Sequence, residues 1–189
     1  VDMSDRTMRE NYLPPYKAAL DAGAASVMSS FNDINGVPAA ANRWLLTDLL
    51  RKEWGFDGLV VSDYTGIYEL IPHGTSANEY EAAEDALEAG NDMDMVSEIF
   101  INNLGKLVKD GKVSETDIDA ACRRVLEAKY KLGLFEDPYR YANEDRPKQT
   151  LMKTEYREAA RDIARKSMVL LKNEDNALPL KGTGSIALI

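Results

Sequence analysis

Asp63 is the residue of this sequence best placed to do chemistry. It follows the apolar run Leu59-Val60-Val61-Ser62 and precedes Tyr64-Thr65-Gly66. In α/β proteins the first polar residue past the carboxyl end of a strand faces the site. A carboxylate there is placed like a nucleophile or a metal ligand; its competing role is to cap the next helix or tie down a turn. Asp92 and Asp94 alternate with Met93 and Met95, so both acids are expected on one face and both methionines on the other. With Asp63 and His73 they would compose an oxygen-rich magnesium site. A magnesium-dependent barrel lyase using Asp63, Asp92 and Asp94 is therefore one reading. His73 is the only histidine; with no second one a zinc hydrolase site is not expected, and a loop histidine bonded to nearby backbone is the plainer role. No Gly-x-Gly-x-x-Gly, phosphate loop or Gly-x-Ser-x-Gly elbow occurs, which removes the commonest nucleotide and acyl-transfer signatures.

Aromatic side chains stand near the same strand ends. The segment from Met28 to Pro38 reads as a loop with Asn35-Gly36 as its turn. Phe31 and Tyr64 lie just past neighbouring strands, where a ring can meet the apolar face of a sugar; core packing explains Phe31 nearly as well.

Three apolar runs supply those strand ends: 25–30, 59–62 and, more weakly, 92–95, where propensity alone does not favour a strand. Their starts are about 30 residues apart, the length of one strand-helix-strand unit. Between them, Asn42 is expected to cap a helix with the stripe Leu45, Leu46, Leu49 and Leu50, ended by Gly55. Asn78 with Glu81 resembles a capping box before Ala82, Ala83, Ala86 and Leu87, stopped at Gly90. Ser97 is expected to start a helix burying Ile99, Phe100, Leu104, Leu107 and Val108, and Ser114 one burying Ile118, Ala121, Cys122, Val125 and Leu126. Near the front, Pro14-Pro15 is expected to split a helical region in two. Three such units cannot cover both faces of a parallel sheet. A (β/α)8 barrel completes them naturally, and a doubly wound open sheet is the rival.

Composition sets outer limits. The 189 residues carry 23 basic and 32 acidic side chains, a net charge of −9. That balance argues against nucleic acid and membrane-surface partners. No apolar stretch approaches the roughly 18 residues of a transmembrane helix. The single cysteine, Cys122, cannot close an internal disulfide and reads as a core residue. Residues 136–154, with Pro138, Pro147 and many charges, have linker chemistry, and beyond them Tyr156, Ala159, Ala160, Ile163, Ala164 and Met168 recur at helical spacing. Val1-Asp2-Met3-Ser4 lacks the features of a signal peptide, and the last residues, 185–189, read as a strand cut off in mid-sheet. The chain is thus expected to be an excerpt of a longer protein.

Several motifs together resemble glycoside hydrolase family 3, the β-glucosidase and β-xylosidase family. Trp54-Gly55-Phe56-Asp57-Gly58-Leu59-Val60-Val61-Ser62-Asp63-Tyr64 is similar to its nucleophile motif. The likeness extends, in family order, through Tyr12-Leu13-Pro14-Pro15-Tyr16, Met28 to Pro38, Asn42 to Leu46, His73-Gly74-Thr75, Gly90 to Met95, Gly133 to Tyr139 and Ser167 to Asn173. The resemblance implies an α/β chain forming the C-terminal portion of a (β/α)8 TIM-like barrel over residues 1–135. A linker over 136–154 and the first elements of an α/β sandwich domain over 155–189 would follow. It implies hydrolysis of terminal β-glucosyl or β-xylosyl residues by a retaining double displacement, with Asp63 as nucleophile. Met28, Phe31 and Tyr64 would border the sugar, and Asp92 and Asp94 would be structural. The substrate would be a β-glucoside or short β-linked oligosaccharide, with no cofactor or metal, in the periplasm or secreted; a homodimer of the full-length protein is compatible. The acid partner would lie past Ile189, and the 189-residue piece alone is expected to be inactive. Two departures stand out: many relatives carry Tyr where Phe31 stands and Trp where Tyr64 stands. A carbohydrate-binding relative without catalysis remains the non-enzymatic reading.

Overall fold

The computed structural model describes residues 1–180 together with Gly182 and Ser185. Two units divide it, Val1–Arg140 and Tyr141–Ile189.

The first unit opens with α1 (Asp5–Thr7), a π-helical turn Met8–Tyr12 and α2 (Leu13–Asp21), whose first turn takes the prolines. Pro14 and Pro15 fall in the first turn of α2, and the expected split is a change from π to α winding at Tyr12–Leu13 rather than a break, since both residues keep right-handed helical backbone. Strand β1 (Ser26–Ser29) follows, then the hairpin of β2 (Asp33–Ile34) and β3 (Val37–Pro38). Asn35 and Gly36 both hold positive φ, 52° and 83°, the backbone of a two-residue hairpin turn that favours Asn-Gly. Asn42 caps as expected, its Oδ1 accepting the Leu45 N–H at 3.0 Å. The helix it opens, Trp44–Glu53, is wound as a π-helix rather than an α-helix, closed by Trp54 N–H to Leu49 O at 2.9 Å. Leu46, Leu49 and Leu50 are buried by it.

Strand β4 (Leu59–Ser62) lies parallel to β1, pairing Ser26 with Leu59 through Ser29 with Ser62. The weak third run makes only an isolated parallel bridge, Val61 to Met93. The strand order is thus β1, β4, Met93, with all three carboxyl ends on one side. Two further helices, α3 (Glu79–Ala89) and α4 (Ile99–Lys109), pack against each other in a core of their own, and α5 (Glu115–Lys131), which follows, contacts β4. Asn78 Oδ1 accepts the Glu81 N–H at 3.1 Å while Glu81 accepts the Ala77 N–H at 2.9 Å, a reciprocal cap. Helix α3 ends at Gly90 with φ 116°; a Cβ there would stand 2.8 Å from Thr47 Oγ1, so only glycine fits. The core beside the site joins Ala40, Ile67, Leu70, Ala82, Ala83, Ala86 and Ile99.

Two expectations are corrected here. The cap of α4 is Asp94, not Ser97: Asp94 Oδ2 accepts from Ile99 N at 2.8 Å and Phe100 N at 3.2 Å, while Ser97 Oγ donates to Oδ1 at 2.7 Å. Glu98, in left-handed conformation, makes no side-chain cap. A carboxylate there also meets the positive end of the helix dipole, so Asp94→Ala is expected to cost about 1–2 kcal/mol. Urea unfolding of the full-length protein checks this. Cys122 is not in the core but exposed. Helix α5 turns Ala121 inward, with Ile118 and Val125 half-buried, and the adjacent stripe of Cys122, Leu126 and Tyr130 faces outward.

The second unit holds α6 (Asp145–Thr150), within the segment expected to be linker, and α7 (Thr154–Ser167), whose apolar stripe is exposed. The expected strand at 185–189 lies outside the described residues, Ser185 apart. Among the described residues no helix is long and apolar enough to cross a membrane.

Candidate active site

Asp63 stands immediately past β4, the middle of the three parallel segments, and its main chain is held from both sides. Its N–H donates to Ser29 O on β1 at 3.2 Å. Its carbonyl accepts from Gly66 N at 2.9 Å and from Ser62 Oγ at 3.0 Å. The carboxylate Oδ1 accepts the Tyr64 N–H at 2.6 Å; among the described residues no other hydrogen bond to the carboxylate is made. The side chain is half-buried and lines a cleft of about 630 Å³ that also takes in Met28, Ser30, Tyr12 and Tyr16.

The loop after Asp63 is anchored rather than loose. Thr65 N–H reaches Met95 O at 3.0 Å, and Ile67 and Leu70 are buried in the core. Of the expected sugar neighbours, Met28 shares the cleft with Asp63, whereas Phe31 and Tyr64 are not among its lining residues. Tyr64 is 60% exposed next to Asp63, and Phe31 is half-buried in the bend after β1. His73 Nδ1 lies 2.8 Å from Asp33 Oδ1. The histidine's partner is thus a side chain on the hairpin, not nearby backbone, and the pair ties the β2–β3 hairpin to the loop after β4.

The magnesium set is not assembled. Asp92 and Asp94 are spent on separate tasks, and among the described residues no three His, Cys, Asp or Glu side chains gather into a metal-sized group. The Asp92 side chain is wholly buried; Oδ2 accepts from Arg51 at 2.6 Å and from Val60 N at 2.8 Å, and Oδ1 accepts from Arg124 at 2.7 Å. Two guanidinium groups already neutralise it, so it has neither charge nor lone pairs to offer a cation. Burial pulls the Arg51 guanidinium below its ordinary pKa, with Asp92 opposing that and Arg124 adding to it. Asp94 is the helix cap.

Sequence reasoning gave no role to three buried polar residues. Asn91 accepts from Ser29 Oγ at 2.9 Å and donates to Ala40 O at 2.7 Å and Ala86 O at 2.9 Å. Ser62 Oγ, besides donating to Asp63 O, accepts the Met95 N–H at 2.9 Å. The one available signal was two small hydroxyl residues ending β-runs, each just before a loop.

Comparison with known proteins places the chain. Residues 1–128 match the model of the glycosyl hydrolase family 3 N terminal domain. The periplasmic beta-glucosidase of Salmonella typhimurium is 48% identical across 100% of this chain and 25% of its own length. A beta-xylosidase of Formosa agariphila is 43% identical over 95% of this chain and 26% of its own. The crystal structure of a beta-glucosidase from Listeria innocua superposes with a TM-score of 0.81 at 44% identity, over 95% of this chain and 25% of that one. The chain therefore spans about a quarter of the relatives it matches, and its three parallel segments are part of a TIM-barrel-like fold that is not closed within these residues. It belongs to glycosyl hydrolase family 3.

Proposed function

We propose that the full-length protein hydrolyses terminal β-glucosidic bonds with retention, and that Asp63 is its nucleophile. The observation that carries this is a half-buried carboxylate at the carboxyl end of the middle parallel segment, in a chain of this family. Asp63 Oδ1 is occupied by the Tyr64 N–H, which leaves Oδ2 to attack the anomeric carbon. The bond to the leaving oxygen breaks as an acid outside these residues protonates it. Water, deprotonated by that same group, then attacks the glycosyl ester and frees the sugar and Asp63. The second carboxyl group must stand about 5–5.5 Å away for this geometry.

A β-glucoside or short β-linked oligosaccharide is the proposed substrate. The Listeria innocua relative has been solved with glucose, and a mutant of it with laminaribiose. Met28, Phe31 and Tyr64 would border the sugar; Phe31 brings no hydroxyl toward Asp63, and Tyr64 offers a smaller platform than Trp to the leaving group. β-Xylosides are the second choice, favoured by the Formosa agariphila relative. The periplasm or the exterior is the proposed location, on the Salmonella typhimurium relative's name. We also assign 155–189 to the opening of a second, α/β sandwich domain.

Incubation of the full-length protein with an activated 2-deoxy-2-fluoro-β-glucoside tests the central claim. The expected result is a stable glycosyl ester on the peptide containing Asp63, found by mass mapping. A label on any other carboxylate overturns the assignment.

A further inference from the structure

Beneath Asp63 lies a pair of buried serines in register, Ser29 on β1 and Ser62 on β4. Neither faces solvent; Ser62 sends its hydroxyl to the Asp63 carbonyl, whereas Ser29 sends its own to Asn91 and meets Asp63 through its backbone carbonyl. Ser62 Oγ donates to the Asp63 carbonyl at 3.0 Å and accepts the Met95 N–H at 2.9 Å, so one hydroxyl spans β4 and the third segment. Ser29 supplies the carbonyl that receives the Asp63 N–H at 3.2 Å, and its own hydroxyl is held by Asn91 at 2.9 Å. Asn91, itself buried, is pinned to Ala40 O and Ala86 O.

We infer that Ser62 is a positioning residue, whose hydroxyl fixes the rotation of the Asp63 peptide and so the direction from which the carboxylate attacks, with Ser29 and Asn91 holding the opposite side. The chemistry supports a specific role for the hydroxyl. Every hydrogen bond that Ser62 Oγ can donate is used on the reacting residue's own carbonyl, and its acceptance of Met95 N–H locks that donor in one direction. Alanine at this site would free the Asp63 carbonyl to turn about Gly66 N and leave the Met95 N–H unpaired. Misplacement of a reacting group by about 1 Å costs on the order of 100-fold in rate. The inference rests on the reading of Asp63 as nucleophile and adds a claim that reading does not contain.

The test uses the full-length protein and an activated 2-fluoro-glucoside, which reports binding and bond formation separately. The expected result for Ser62→Ala is an inactivation rate constant lowered about 10- to 100-fold, with the inhibitor's binding constant within about threefold of the parent, as interactions made only in the transition state behave. Ser62→Cys, which keeps a weak donor of similar size, should fall between. An unchanged inactivation rate in Ser62→Ala overturns the inference, as does an equal loss in binding and rate. If the alanine variant fails to fold by circular dichroism, the cysteine variant decides: inactivation at the parent rate overturns it. Labelling of the parent at a carboxylate other than Asp63 would instead sink the nucleophile assignment, so the two failures are distinct.

Discussion

Replacing Asp63 with Gly in the full-length protein is expected to lower kcat on an aryl β-glucoside by roughly 10⁴-fold or more, the scale of removing a covalent nucleophile. KM should change far less, because the role proposed for the carboxylate is exercised in the transition state. Azide at high concentration should restore part of the turnover by taking the vacated space, and the product should then be the α-glycosyl azide. Nuclear magnetic resonance of that product gives the anomeric configuration. Retained activity in the Gly variant, or azide with no effect on rate or product, would count against the assigned role. The fold should be untouched by this change, since among the described residues the carboxylate's one hydrogen bond is to its neighbour's N–H.

The largest stability effect is expected at Asp92. Its carboxylate sits without solvent contact between Arg51 and Arg124, whose side chains are 12% and 29% exposed, and it also holds the Val60 N–H. Asp92→Ala leaves two poorly hydrated guanidinium groups facing each other and a backbone donor unpaired. Breaking one partner of a buried pair costs about 3–5 kcal/mol. Partial exposure of Arg124 puts the expected loss toward the lower end of that range. Equilibrium unfolding by urea, followed by circular dichroism, measures it; a loss below about 1 kcal/mol, the worth of a surface pair, would show that the cluster is not the lock described.

Much of this was legible in the residue order, and the reasons differ element by element. Strand β4 coincides with the run 59–62 because three apolar positions, Leu59, Val60 and Val61, and a serine between Gly58 and Asp63 leave little choice of boundary. The caps at Asn42, Asn78 and Ser114 were readable because capping is local, set by a side chain and an N–H three residues away. Asp94 escaped because its N–H partners lie five and six residues on, across a left-handed loop at Val96 and Glu98 that no period reveals. Cys122 was misplaced because a helix with two apolar stripes does not say which one its own chain covers. The family motifs marked Asp63 and its neighbours. The links among Ser29, Asn91 and Arg51 span 41 to 62 residues, and pairing at that separation is invisible to spacing arguments. The partner of His73 was likewise a residue 40 positions away.

The lock at Asp92 engages β4 at Val60, while the carboxylate proposed to react stands three residues later. At about 3.3 Å per residue that is a separation of about 10 Å along one strand. Over such a distance substitutions with no shared partner combine nearly additively. Drift or selection can therefore retune stability at one end of this strand with little effect on the residue proposed to react at the other.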